Sequence, residues 1–207
     1  AILLVVFGHI VARGTPPGAE WYTALKTAIY TFHMPLFVYL SGVVFTYTGA
    51  ERRAGPGFLR WVAARAERLL LPFFAFGALT VVGKFVAMRF MRVDDPPDTL
   101  LGGLAALFVN TSTSAALSIW FMFVVFVYCV ATPLLLRLSG QRILPWLLAA
   151  VPLAFATLPD ILYADRIARF YVYFLLGCLV GRRHGEVVAL LGRWRLAAYL
   201  LFAASFL

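Results

Sequence analysis

The sequence predicts an all-α, polytopic transmembrane helical bundle, and three observations carry that reading. Hydrophobic residues make up 63% of the 207-residue chain, charged residues only 13%, and the mean hydropathy is +0.90; a soluble domain holds about 45–50% apolar residues. The apolar residues fall in continuous runs, without the alternation of lipid-facing and lumen-facing positions that marks a membrane β-barrel. Short connections rich in arginine, glycine and proline separate the runs. A bilayer core of about 30 Å takes roughly 20 apolar residues per helix, so the chain has room for about six to seven spans.

The first run, Ala1 to about Ala12, contains His9 and ends in a loop, RGTPPGAEW, whose Gly and Pro content forbids a continued helix. The second, from about Ala28 to Tyr47, leads into a basic connection holding Arg52, Arg53, Arg60, Arg65 and Arg68. The third covers about Leu69 to Phe90 and includes Pro72 and Lys84. An acidic connection with Asp94, Asp95 and Asp98 follows, then a weakly apolar stretch, Leu100–Val109, too short to span and suited to the interface. The fourth run is about Leu117–Leu136, the fifth Ile143–Leu158 and the sixth about Ile167–Gly181, while a seventh starts near Leu196. The chain opens AILLVVFG with no charged flank or small-residue cleavage site, unlike a signal peptide, and stops at FAASFL in mid-run. It therefore reads as one transmembrane domain over residues 1–207, cut at both ends.

Charge orients the spans, because cytoplasmic loops are enriched in Lys and Arg. Connections two-three, four-five and six-seven hold eleven basic and three acidic residues, a balance of +8, whereas the opposite set holds six of each. The basic loops are thus expected on the cytoplasmic side of a plasma (inner) membrane. The net charge of +9 is then a matter of topology and anionic ligands, with no need for a nucleic-acid partner. Cys129 and Cys178 sit singly in apolar runs with no metal-ligand spacing and read as small buried hydrophobes, so no metal is expected.

Polar groups inside the runs mark the candidate site. An ionisable side chain within a membrane span is costly, which makes it a functional candidate by default. His9 and His33 are two such groups, and His33 stands in TFHMPLFVYLSG, Thr31–Gly42, beside Pro35 and Ser41–Gly42. Pro35 removes a helix hydrogen bond and favours a bend, while Ser41 and Gly42 read as close helix packing. If the first run rises and the second returns, the two histidines lie at similar depth and can face one cavity. The competing reading makes each a packing residue held by a hydrogen bond.

Five strings, AILLVVFGH, FHMPLFVYLSG, RAERLLLPFF, IWFMFVVF and FYVYFLLGCLVGR, follow one another in an order that resembles the membrane acyltransferase 3 family. Members of that family move acyl groups, often acetyl, onto sugars of surface polysaccharides and have about ten spans. The resemblance implies an integral-membrane O-acyltransferase that takes an acyl group from cytoplasmic acyl-CoA, acetyl-CoA above all, and delivers it to a hydroxyl of a glycan or glycolipid acceptor outside. It implies His9 as the catalytic histidine, consistent with the near-neutral base that hydroxyl attack on a thioester needs. The family's arginine eleven positions before that histidine would precede Ala1.

His33 is expected either to support catalysis, orienting acceptor or assisting proton transfer, or to serve as a packing residue fixed by a hydrogen bond. Arg65 and Arg68 match an RxxR pattern; three residues apart, they share a helix face where guanidinium groups suit the phosphates of acyl-CoA. Topology and anionic membrane lipid supply an alternative reason for these arginines. Trp120 matches an aromatic at the start of the fourth span and is expected to contact acceptor or to anchor the helix at the interface. Some branches continue as WSLxxE, but here Val125 stands at the glutamate position, so no acidic residue carries over. A transporter without chemistry, or a structural or sensory membrane protein, would also tolerate intramembrane His, Lys and Pro.

Overall fold

The computed structural model describes Gly18 and residues 20–93, 96–114 and 119–204. Among them, seven α-helices follow one another: α1 Glu20–Tyr47, α2 Phe58–Ala87, α3 Leu100–Ala105, α4 Trp120–Leu138, α5 Leu144–Leu153, α6 Ala164–Arg182 and α7 His184–Ala204. An isolated antiparallel bridge pairs Val109 with Ile161. The expected all-α architecture is therefore present. The helices α1, α2 and α4 are each long and apolar enough to cross a membrane.

The fifth run departs from expectation. Instead of a span over Ile143–Leu158, α5 has ten residues and ends at Leu153, with proline at its start and Pro152 in its last turn. At 1.5 Å per residue it reaches only about 15 Å, half a hydrocarbon core. Pro152 has no amide to bond the carbonyl of the preceding turn, and beyond Leu153 the chain runs through a turn and irregular backbone to Asp160. The sixth run also starts earlier than its apolar residues suggest, because α6 takes Asp165 and Arg166 into its first turn. An acidic group there is favourable beside the exposed amides of a helix N-terminus. The stretch from Leu100 becomes the short helix α3, capped by Thr99 Oγ1, which accepts from the Gly102 amide at 3.0 Å.

α1 and α6 form the closest helix pair, and glycine explains why. A Cβ built on Gly42 would come within 2.1 Å of the Phe174 carbonyl oxygen, and one on Gly177 within 2.0 Å of the Tyr39 carbonyl oxygen. On Gly181 it would meet Thr46 Oγ1 at 2.0 Å. Gly177 and Gly181 form a GxxxG pair on one face of α6, the spacing that lets helix backbones touch where lipid removes any hydrophobic drive to associate. The backbone contact also admits weak Cα–H···O bonds, worth about 0.5–1 kcal/mol each.

α4 packs across this pair through Val124, Tyr128, Thr132 and Leu136, all buried. Tyr128 donates to the Ile167 carbonyl at 2.8 Å, and Thr132 and Tyr171 share a hydrogen bond of 3.1 Å. These bonds satisfy polar groups that have no water partner inside a membrane. Phe73 brings α2 onto the same core, against Phe123 and Tyr163 at ring distances of 5.6 and 6.0 Å.

Because the obstructing atoms are backbone, Gly42→Ala and Gly177→Ala are expected to lower stability by about 1–3 kcal/mol, the usual range for overpacking. Gly83, near the C-terminal end of α2, would have nothing within 4 Å of an added Cβ, so Gly83→Ala should be neutral or stabilising. Thermal unfolding of the full-length protein in detergent compares the three; equal effects would refute the close contact.

Candidate functional site

One end of the bundle is basic and is tied together by ion pairs and backbone bonds. Glu51, whose side chain is 6% exposed, accepts a 2.7 Å hydrogen bond from Arg182 Nε. Arg182 Nη1 also donates to the Gln141 carbonyl at 2.6 Å, and Arg137 Nη1 donates to the Ala54 carbonyl at 2.9 Å. The ends of α1, α4 and α6 and the start of α2 therefore meet there. Removing one partner of such a pair would leave a buried charge, a change that costs far more than an exposed pair contributes.

Arg65 and Arg68 rise from this end on α2. Arg65 is half-buried with its guanidinium over the Trp61 ring, 5.3 Å from the centroid, and Arg68 is exposed. Trp61 in turn meets Phe45 of α1 edge-on at 6.4 Å. That contact sets the relative heights of α1 and α2. From it, Arg65 and Arg68 lie roughly 6 and 10 Å into the bundle, whereas His33 lies roughly 18 Å in.

His33 is buried in the far half of α1. Its Nδ1 lies 2.9 Å from the Ile29 carbonyl oxygen, and its ring meets Tyr30 edge-on at 5.0 Å. A carbonyl partner requires Nδ1 to carry the proton, so in neutral His33 the lone pair is on Nε2. One turn further along α1, Phe37 touches Phe121 of α4 at 6.1 Å, which puts His33 near the level at which α4 begins. His9 lies outside the described residues, so its relation to His33 is not part of this geometry.

Trp120, the first residue of α4, is half-buried in a stack. Phe170 lies parallel to it at 5.3 Å, and the Arg166 guanidinium sits 5.1 Å from its ring centre and 5.4 Å from that of Tyr163. The arrangement is a cation–π sandwich, in which a guanidinium is held by the electron-rich ring faces. Arg65, Arg68, His33 and Trp120 are therefore not one cluster. The arginines share the basic half, and His33 and Trp120 share the other.

The far end carries polar structure that the sequence pattern does not single out. Asp160 accepts hydrogen bonds from Thr111 Oγ1, from the Ser112 amide at 2.8 Å and from Ser112 Oγ at 2.5 Å. The Asn110 amide donates to the Asp160 carbonyl at 2.8 Å and the Leu162 amide to the Phe108 carbonyl at 2.7 Å. Desolvation alone would raise the Asp160 carboxyl, but the bonds from Ser112 and Thr111, together with Arg166, hold it below the ordinary carboxylate value. This clasp fixes Leu162 and Tyr163, two successive non-glycine residues with positive φ, 52° and 59°. Such residues cost on the order of 1–3 kcal/mol each and persist only where surrounding structure imposes them. Tyr163 OH, Asp165 Oδ1 and Arg166 Nη1 are buried and have no hydrogen-bond partner among the described residues. Beside them a cavity of about 860 Å³ opens between the chain leaving α5 and the first half of α6.

The sequence signal for this region is present but faint. Asp165, Arg169 and Tyr173 recur at four-residue spacing and so share one face of α6, and a membrane segment bears such charge only for a reason.

A helical membrane protein with buried ionisable groups and opposed basic and polar ends is the class these features define. The acyltransferase 3 family model, described as an acyltransferase domain, matches residues 1–207, and the chain belongs to that family. The nodulation protein NolL of Mesorhizobium japonicum is 27% identical over 212 residues, covering 100% of this chain and 52% of that protein. NolL of Sinorhizobium fredii is 29% identical over 181 residues, covering 86% of this chain and 45% of that protein. The chain thus spans about half the length of these relatives. No solved structure matches it.

The depressed Asp160 carboxyl makes the clasp acid-sensitive in a defined direction. Its contribution is fully present above the ordinary carboxylate pKa of about 4 and is lost as pH falls through the lower folded-state value. Hydrogen exchange over residues 108–114, normalised to unstructured-peptide rates, should stay slow at pH 5 and accelerate only in stronger acid. Asp160→Asn should accelerate it already at pH 7, by about tenfold or more for the charged hydrogen bonds lost. Exchange in the variant equal to that of the parent would refute the clasp.

Proposed function

We propose that this chain is part of an integral-membrane O-acyltransferase that moves an acyl group, acetyl in the first instance, from cytoplasmic acyl-CoA to a hydroxyl of a glycan or glycolipid on the far side of the plasma membrane. The observation that carries this reading is the segregation of chemistry along the bundle of a member of this family. Arg65 and Arg68 lie toward the basic end, while a buried histidine and a polar, aromatic region lie toward the other.

In this scheme Arg65 and Arg68 hold the donor phosphates, since a guanidinium pairs with phosphate oxygens in two-pronged fashion. Arg65 is steadied by its Trp61 stack, which leaves its N–H edges available to an anion. The thioester arm then extends into the bundle, toward the depth of His33. His9 takes the proton of the acceptor hydroxyl as its oxygen attacks the thioester carbonyl; the C–S bond breaks, an ester C–O bond forms, and the departing CoA sulfur receives the proton. His33, with Nδ1–H tied to Ile29, presents Nε2 as an acceptor that orients the hydroxyl. Excluding water from this region favours transfer over hydrolysis of the thioester.

In the full-length protein, His9→Ala should abolish acyl transfer while membrane insertion persists, and retained transfer would refute the base assignment. Arg65→Ala and Arg68→Ala should each raise the apparent KM for acyl-CoA about tenfold, the usual scale for one charge-assisted hydrogen bond, with a smaller effect on kcat. Saturation kinetics with labelled acetyl-CoA measure both; an unchanged KM removes the arginines from the donor site.

A further inference from the structure

We propose that the cavity beside the first half of α6 is a carbohydrate subsite that holds a sugar of the acceptor glycan away from the reacting hydroxyl; this rests on the acyltransferase reading above. Asp165, Arg169 and Tyr173 line one wall from successive turns of α6, and Phe155 and Thr157 line the other from the chain that leaves α5. The cavity holds about 860 Å³, well above the few hundred Å³ of a minimal ligand site.

Val151, Leu158, Val172 and Leu176 make much of the lining apolar, and its few polar groups bear on the ligand. A carboxylate accepts hydrogen bonds and a guanidinium donates them, so Asp165 and Arg169 together match vicinal hydroxyls, each of which does both. Phe155 is 85% exposed, and its ring, with that of Tyr173, offers flat apolar surface for the C–H face of a pyranose. Asp160 and Asp165 on the lining offset Arg169, so the cavity has no surplus of positive charge. That balance disfavours phosphate and sets this site apart from the donor arginines near the opposite end.

The backbone holds this wall in place at a cost. The paired positive-φ residues Leu162 and Tyr163, held by the Asp160 clasp, determine how the first turn of α6 presents Asp165. The α6 positions on this wall differ from those that face Trp120, namely Arg166 and Phe170. The subsite is therefore one helix face away from the Trp120 stack, a placement suited to an extended oligosaccharide.

The test uses the full-length protein in lipid nanodiscs on an array of defined neutral and phosphorylated oligosaccharides, with acetyl-CoA turnover measured on the same preparations. The wild type should bind neutral oligosaccharides. Asp165→Asn and Arg169→Gln should each weaken that binding about tenfold, as for loss of a charged hydrogen bond, while the KM for acetyl-CoA is unchanged. Tyr173→Phe, which keeps the ring, should retain most of it. The unchanged donor KM shows that the variants are folded. Neutral-glycan binding that is absent from the wild type, or equal in wild type and variants, overturns the subsite. Glycan binding that follows the pattern above without any acetyl-CoA turnover would leave a carbohydrate site but remove its acceptor role, and would count against the acyltransferase reading itself.

Discussion

The contact between α1 and α6, backbone against backbone through Gly42, Gly177 and Gly181, is the constraint on which the rest of the arrangement depends. Lipid is as apolar as leucine, so side-chain burial cannot by itself choose the partner or register of a helix in a membrane. Three positions where even a methyl group does not fit can. Arg182 follows Gly181 directly, so the same register that closes the glycine contact carries Arg182 to the buried Glu51. Phe45 and Phe174, 5.3 Å apart, are brought together by it too, and through Trp61 they fix the height of Arg65 on α2. His33 on α1 and the polar wall of α6 thus sit on two helices that have little freedom to slide.

The two ends of the bundle are closed by different physics. At the basic end a buried carboxylate and several guanidinium groups join helix termini, and the pairing of Glu51 with Arg182 offsets a large desolvation penalty. At the far end a network centred on Asp160 draws together two loops and sustains backbone conformations that are otherwise unfavourable. The α5 helix is too short to span, and the cavity lies between the chain that leaves it and α6.

Composition and run length are enough to read a helical membrane bundle, because hydrocarbon accepts so few alternatives. Motif order is enough to read the family, and the spacing of Arg65 and Arg68 is enough to place them on one helix face. Gly42 reads as a packing residue in the sequence, as it is in the fold, but the GxxxG spacing of Gly177 and Gly181 is hidden among apolar and aromatic neighbours. The fifth run reads as a span because hydropathy averages over Pro152, whereas the helix ends a residue after it. Asp160 gives no local signal, since its partners Thr111 and Ser112 are 49 and 48 residues away and only the fold brings them within bonding distance. Asp165 and Arg169 stand outside or at the edge of an apolar run, where a charge looks like a loop boundary instead of one wall of a cavity.

In the proposed reaction, donor and acceptor are served from opposite ends of the bundle, the donor from the arginine-rich end. Sealed vesicles containing the full-length protein in one orientation, fixed by a cleavable tag on an arginine-rich loop, allow labelled acetyl-CoA to be supplied to one face and a glycan acceptor to the other. Label should reach the glycan when acetyl-CoA is on the arginine-rich face and the acceptor is on the opposite face, and should fail to do so when the two are exchanged. Transfer in the exchanged arrangement, or transfer that requires both substrates on the same face, would rule out this two-sided reaction.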